Sequence, residues 1–341
     1  MARYKVLDGR VVRAIDVPSS LLDSSLGQDP VMTNLVLGMP QGALPGMKIL
    51  GRVDVRKQHF RYPVFGAEHL QPRDTERGLK ERIQSAGIKI GYENASLKRF
   101  SFAYDFDDDE LSENTGDDIG SVLRLQQRGT FEARQTVELN LEKRRHTLLT
   151  TVTNYPVANR LAIAGGSEWD AAGGDSKTDV QAMANQVVLG TPYTREQVSV
   201  FLSDEAKEAA LADPIFIAAR ANYTTDMSDL DTLRKYWGVG EVWTAKPVTS
   251  ADGTLANVVG MYADLAIVYL PPEISAPSGI SLPELTSGTP RFGAAFAMND
   301  GVALRPYYEE DRTTWFYPWQ ARDHSAIIQS ARGAIITNCK A

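Results

Sequence analysis

The chain has 341 residues, 43% of them apolar and 23% charged, which is long enough for two or three packed units and too apolar for general disorder. No window approaches 18 uninterrupted apolar residues, so no membrane span is expected. The lone cysteine, Cys339, excludes an internal disulfide and any cysteine-cluster metal site, and it fits a reducing compartment. The formal charge of −7 is unevenly divided: residues 1–99 hold 16 Lys and Arg against 10 Asp and Glu, and residues 100–341 hold 20 against 33. The cations are scattered rather than in runs, which points to attraction between the two parts, within a subunit or between subunits, rather than to a nucleic-acid arm.

Residues 1–50 read as an irregular arm, because turn formers recur from Pro18 to Pro45-Gly46 and the apolar stretches between them are short. The start carries charges throughout and no apolar core of a secretory signal. Residues 51–106 read as a long hairpin. Its first leg is Phe60 to Phe65, its tip the polar stretch Gln71 to Ser85, and its second leg the alternating run ending in Phe100, Phe102, Tyr104 and Phe106. These four rings form one aromatic face that the hairpin's own unit is not expected to cover, and Arg52, Arg56, Lys57 and Arg61 form the one dense basic patch, of which Arg56, Lys57 and Arg61 join the rings as the candidate contact residues.

A single helix is expected over 116–149, with Asp117 and Asp118 in its first turn and Lys143, Arg144 and Arg145 in its last, matching the macrodipole. Its apolar stripe is Ile119, Val122, Leu123, Phe131, Val137, Leu141 and Leu148. Residues 157–270 alternate helices and strands: a helix opened by a capping box at Thr178–Gln181, a buried strand at Val198–Leu202, helices from Ser203, Pro214 and Ser228, and strands at Glu241–Lys246, Asn257–Tyr262 and Leu265–Leu270. Residues 271–290 are a proline-rich linker. The remainder returns to strands, punctuated by Gly301, Pro306 and Pro318.

Motifs of catalysis fail in turn. Gly-x-Ser-x-Gly is absent. Gly173 to Thr178 lacks the Gly-Lys pair of a phosphate loop, and Gly238-Val239-Gly240 lacks the third glycine of a dinucleotide fingerprint. The acidic run Asp105 to Glu110 lacks the glycine and bidentate glutamate of a calcium loop, and reads as a solvated turn. His59, His69, His146 and His324 have no metal-ligand spacing. Trp315, Tyr317 and Trp319 alternate on a strand with too few cations for base stacking. No catalytic residue, cofactor or metal site is expected.

The order of segments, with several local runs, resembles the major capsid proteins of tailed bacteriophages and their Hong Kong 97-like fold. The run from Arg144 through Asn159 (RRHTLLTTVTNYPVAN), followed by Gly165-Gly166-Ser167-Glu168-Trp169 and Ser176 to Asp179, is similar to the stretch joining the family's long helix to its axial domain. Arg160 replaces the family's lysine there, and Asp175-Ser176-Lys177 interrupts its Asp-Pro. Tyr269-Leu270-Pro271-Pro272, Arg305-x-Tyr307-x-Glu309-Glu310 and Ala331 to Asn338 look like the closing strands.

The resemblance implies an α+β fold with an N-terminal arm (1–50), an extended loop (51–106), a peripheral domain with a spine helix (107–156), an axial domain (157–290) and further peripheral strands (291–341). It implies a non-enzymatic shell subunit of a virion, assembled in the host cytoplasm. The subunit would partner with itself in hexamers and pentamers, with portal and scaffolding proteins, with a decoration protein where one exists, and with packaged double-stranded DNA through non-specific proximity. Removal of an N-terminal pro-domain is not expected, nor a covalent cross-link between Lys80 and Asn338. An encapsulin-like compartment and a soluble enzyme with a non-standard site are the alternatives.

Overall fold

The computed structural model describes residues 5–7, 10–12, 32–33, 44–65, 90–107, 119–191, 193–220, 227–250, 258–272, 291–298 and 301–341. Most of the arm, the tip at 66–89, the turn Asp108–Glu110, Asp117 and Asp118, and the stretch 273–290 lie outside the described residues.

A small hairpin, β1 (Lys5–Leu7) and β2 (Arg10–Val12), comes first, then helix α1 (Pro45–Leu50), β3 (Arg52–Asp54), β4 (His59–Phe65), β5 (Ile90–Ser96) and β6 (Lys98–Asp107). The spine helix α2 (Ile119–Thr150) leads to β7 (Arg160–Ala162), α3 (Ser176–Val188) and β8 (Ser199–Leu202). Helices α4 (Asp204–Ala212), α5 (Pro214–Arg220) and α6 (Asp229–Trp237) precede β9 (Glu241–Thr244), β10 (Val248–Ser250), β11 (Val258–Gly260) and β12 (Leu265–Tyr269). The chain closes with β13 (Gly293–Ala297), β14 (Val302–Ala303), β15 (Tyr307–Glu309), β16 (Thr314–Ile327) and β17 (Gly333–Thr337).

Two sheets organise these elements. The first has the order β7-β17-β12-β8-β9, with β12 antiparallel to β17 and β8 at its centre and parallel pairs at both margins. Every residue of β8 and β12 is buried, so these strands read as unbroken apolar runs, as strands covered on both faces do. The period of two sorts them. Val200, Leu202, Ala266, Val268 and Ile336 face a core built from Trp169, Val180, Phe216 and Trp237 on the helical side. Phe201, Leu265, Ile267 and Ile335 face a second core that includes Ile49 and Leu50 of α1, Leu149 of α2, Tyr155 and Phe292.

The second sheet has the order β14-β16-β13-β3, with β6 and β15 also on β16. Spine helix α2 lies across it, packing Ala133, Val137 and Leu141 on Trp319 and Ala303. The inner face of α2 also buries charge: Arg134, Glu142 and Arg145 are all under a tenth exposed. The helix runs on to Thr150, so the expected basic trio Lys143, Arg144 and Arg145 lies before its last turn, which holds no cation, and Arg145 is buried. Its Nη2 donates to Asp323 Oδ1 at 2.8 Å and its Nε to Ser325 Oγ at 3.2 Å.

Several local expectations shift. Pro45-Gly46 opens α1 rather than a turn: proline at the first helical position has its φ preset, and Glu142 Oε1 takes the Gly46 N–H at 2.8 Å. Helix α3 begins at Ser176, capped by Asp175, whose Oδ1 accepts the Thr178 N–H at 3.0 Å; the capping box lies instead at Thr194 and Gln197. Pro318 does not interrupt β16. Its carbonyl accepts the Leu304 N–H at 3.0 Å, so its missing N–H lies on the side away from β6 and takes no bond from the β6 ladder. β17 joins the first sheet, not the other C-terminal strands.

The helical side is fastened by one fully buried carboxylate. Asp213 Oδ2 accepts the N–H and hydroxyl of Ser176 at 3.0 and 2.5 Å, while Oδ1 accepts the N–H groups of Ile215 and Phe216 at 2.8 and 3.2 Å. One side chain thus serves the N-termini of α3 and α5, where helix donors otherwise go unpaired. Asp213→Ala is expected to cost at least about 2 kcal/mol, since it removes a cap and strands buried donors. Urea titration of the unassembled chain checks this, with Asp213→Asn expected to lose less.

Candidate assembly surface

The hairpin of β4 and β5 runs in register from His59↔Ser96 to Phe65↔Ile90. Its root is covered on one face: Tyr62, Ala95 and Leu97 pack with Ala294, Phe296 and Ile328, with Phe60 and Tyr62 4.8 and 5.2 Å from the Phe296 ring. The Tyr62 hydroxyl donates to Glu93, and burial together with that carboxylate pushes its pKa well above the ordinary phenol value. The opposite face carries Arg61, whose Nε donates to Asn94 Oδ1 at 2.9 Å, and Tyr92, which is 61% exposed. Arg56 and Lys57 stand exposed in the turn between β3 and β4.

The expected aromatic strand exists, but the hairpin ends before it. After Leu97, strand β6 leaves β4 and pairs along its whole length with β16, Lys98↔Asp323 to Asp107↔Thr314. The alternation of residues is unchanged across this switch, so the pattern alone cannot register the change of partner. Phe102 lies opposite Trp319 and Tyr104 opposite Tyr317, which places all four rings on the face that meets α2.

The helix covers the two ends of this row and leaves the middle open. Phe100 is half-buried beneath the Arg144 guanidinium, 4.7 Å from its ring centroid. Phe106 is half-buried against Tyr317, with centroids 5.7 Å apart, at the point where Gly129 brings α2 close. Phe102 and Tyr104, edge-to-face at 5.4 Å, remain 43% and 37% exposed. Among the described strands β6 pairs only with β16. Neighbouring aromatic rings left this exposed form a surface that proteins ordinarily cover.

The weak motif matches resolve into ordinary structure. Gly173 to Thr178 leads into α3. Tyr317 and Trp319 are buried under α2, with Trp315 half-buried beside Tyr308 at 5.2 Å. His59 is exposed, whereas His146 and His324 are half-buried and held below the ordinary imidazole pKa by burial. His69 lies outside the described residues.

No protein-family model matches the chain. Over 244 residues, 71% of this chain and 76% of the relative, it is 22% identical to the major capsid protein of Burkholderia phage BcepMu. A phage-related protein of Bordetella bronchiseptica shares its structure with a TM-score of 0.66 at 17% identity, over 92% of this chain and 97% of that one. The capsid structure of cyanophage P-SCSP1u gives 0.54 at 9% identity, over 88% and 89%. A virus-like particle from Pyrococcus furiosus gives 0.50 at 10%, over 89% and 94%. The fold is the Hong Kong 97-like capsid fold that the sequence resemblance implied.

A Cβ at Gly129 would stand 2.6 Å from Phe106 Cε2. Gly129→Ala is therefore expected to destabilise the chain even though helix propensity alone favours alanine by about 1 kcal/mol. Adding Phe106→Leu should restore part of the loss, and urea midpoints of the two single variants and the double variant test this coupling.

Proposed function

We propose that this chain is the major capsid protein of a tailed bacteriophage, self-assembling into the icosahedral shell around its double-stranded DNA. The observation that carries the reading is a fold shared over most of the chain with a cyanophage capsid and a phage-related protein, together with sequence similarity to a phage major capsid protein over more than two thirds of both chains. The role is structural and non-catalytic. In this reading the arm, the extended loop, the peripheral unit and the axial unit follow the order implied by the sequence resemblance, with the loop ending before β6 and β17 belonging with the axial sheet. The subunit forms hexamers and pentamers, meets portal and scaffolding proteins, and lies against packaged DNA without reading its sequence. Its place is the virion.

The contact surface is the row of Phe100, Phe102, Tyr104 and Phe106 with Arg56, Lys57 and Arg61. Support comes from the exposure of the two central rings and of the cations at the hairpin root. A neighbouring copy that covers Phe102 and Tyr104 gains up to about 1.5–3 kcal/mol for each ring fully removed from water, before ordering costs. A closed shell uses heterologous contacts of this kind, in which one patch meets a different patch on the next copy.

Electron micrographs of the purified protein should show closed particles, and particles from infected cells should contain double-stranded DNA; an encapsulin-like compartment would hold protein cargo instead. Because Phe102 is partly exposed, Phe102→Asp should give a folded chain by circular dichroism that sediments as unassembled subunits. Normal particles would remove these rings from the contact. Assembly should also weaken between low and molar salt, and replacing Arg56, Lys57 and Arg61 by serine should flatten that dependence.

A further inference from the structure

Glu142 is fully buried where three parts of the chain meet. Its Oε1 accepts the Gly46 N–H of α1 at 2.8 Å and the Tyr262 hydroxyl, from the segment before β12, at 2.9 Å. Its Oε2 has no hydrogen-bond partner among the described residues. Arg145, one turn further along α2, gives its hydrogen bonds to Asp323 and Ser325. Helix α1 lies directly over the carboxyl group: a Cβ on Gly46 would be 2.9 Å from Oε2 and 2.7 Å from the Arg145 Cβ. Lifting α1 would open this group to water.

We propose that Glu142 is a proton-operated latch on the arm helix, which α1 holds most tightly when the carboxyl group carries a proton and which loosens when that proton leaves. A carboxylate with one oxygen that accepts nothing, closed over by a backbone segment, is costly to keep charged. Burial, the largest influence, raises the Glu142 pKa above the ordinary carboxylate value, while the Gly46 N–H, the Tyr262 hydroxyl and Arg145 pull it down. With α1 lifted, water would return it toward the ordinary value. The docked form then binds more protons between the ordinary and the raised pKa, so docking is strongest below that window and weakens as pH rises through it.

The other groups facing this site are Arg145 and His146 on α2, Tyr262 before β12 and Asp323 on β16. Lys48, the cation of α1, turns away to Glu241 at 2.7 Å. His146, edge-to-face on the Tyr262 ring at 4.8 Å, is held below its ordinary pKa by burial, so protonating it opposes the packed arrangement as pH falls. Variants at Glu142 and Tyr262 separate the two effects.

The test is amide exchange of residues 47–50 in the unassembled full-length chain between pH 5 and 8, expressed as protection factors corrected for intrinsic exchange. Protection should fall with rising pH by about tenfold for each pH unit separating the docked and undocked pKa values. Glu142→Gln should abolish the Glu142-dependent fall. Tyr262→Phe, which removes a hydrogen bond that lowers the pKa, should move the fall to higher pH. Protection independent of pH in the natural chain, the same fall in Glu142→Gln, or an unmoved midpoint in Tyr262→Phe would each overturn the proposal. Particle formation is a separate readout, so failure of the latch and failure of the shell reading are distinguishable.

Discussion

The ion pair between Arg145 and Asp323 ties the spine helix to the longest of the described strands. Both side chains are under a tenth exposed, and Ser325 donates to the second Asp323 oxygen at 3.0 Å, so the carboxylate is held on both sides. Replacing such a pair by well-packed apolar groups is often neutral, but removing one partner strands a buried charge at a cost of about 3–5 kcal/mol. The pair therefore adds less to net stability than to position. It fixes the rotation of α2 and its register along β16, and that setting determines which aromatic rings of β6 the helix covers and which stay open.

A second consequence of the same setting lies at the C-terminal end of the helix. Leu149 and Tyr155 enter the core beneath the first sheet alongside Ile49 and Leu50 of α1, with the Tyr155 hydroxyl donating to the Leu149 carbonyl at 2.7 Å. The far face of that sheet is thus filled by elements that begin in the other sheet and in the arm. Phe292 completes it, stacked on Tyr155 with centroids 5.4 Å apart and close enough to Gly333 that a Cβ there would meet it at 2.2 Å. The two sheets are joined through shared core residues, so neither face of β12 sees solvent.

Much of this was legible in the sequence, for physical reasons that differ by element. Strands β8 and β12 announce themselves as short apolar runs because both their faces are buried, and α4 and α6 by the N-cap serines Ser203 and Ser228. Spine helix α2 was visible from its periodicity, but its buried charges were not, because an apolar stripe assigns Glu142 and Arg145 to solvent. The pairing of β17 with β7 and β12 and the switch of β5 into β6 are non-local, and no local pattern encodes a partner far away in sequence. Of the candidate surface, the alternating rings were plain. Which of them would be covered depends on Gly129 and Arg144, two helix residues that carry no signal of their own.

Strand β5 and strand β6 are separated by a single residue. Leu97 is 2% exposed, and its N–H donates to the Gln58 carbonyl at 2.9 Å, so the junction is seated rather than loose. The hairpin and the long strand β6 are consequently two arms of one lever with its fulcrum at Leu97. A load on the hairpin is delivered as torque to β6 and, through the ladder of β16, to the helix that lies across it. The short turn carrying Arg56 and Lys57 returns the chain to the same root, so the hairpin is joined to the second sheet by two segments side by side.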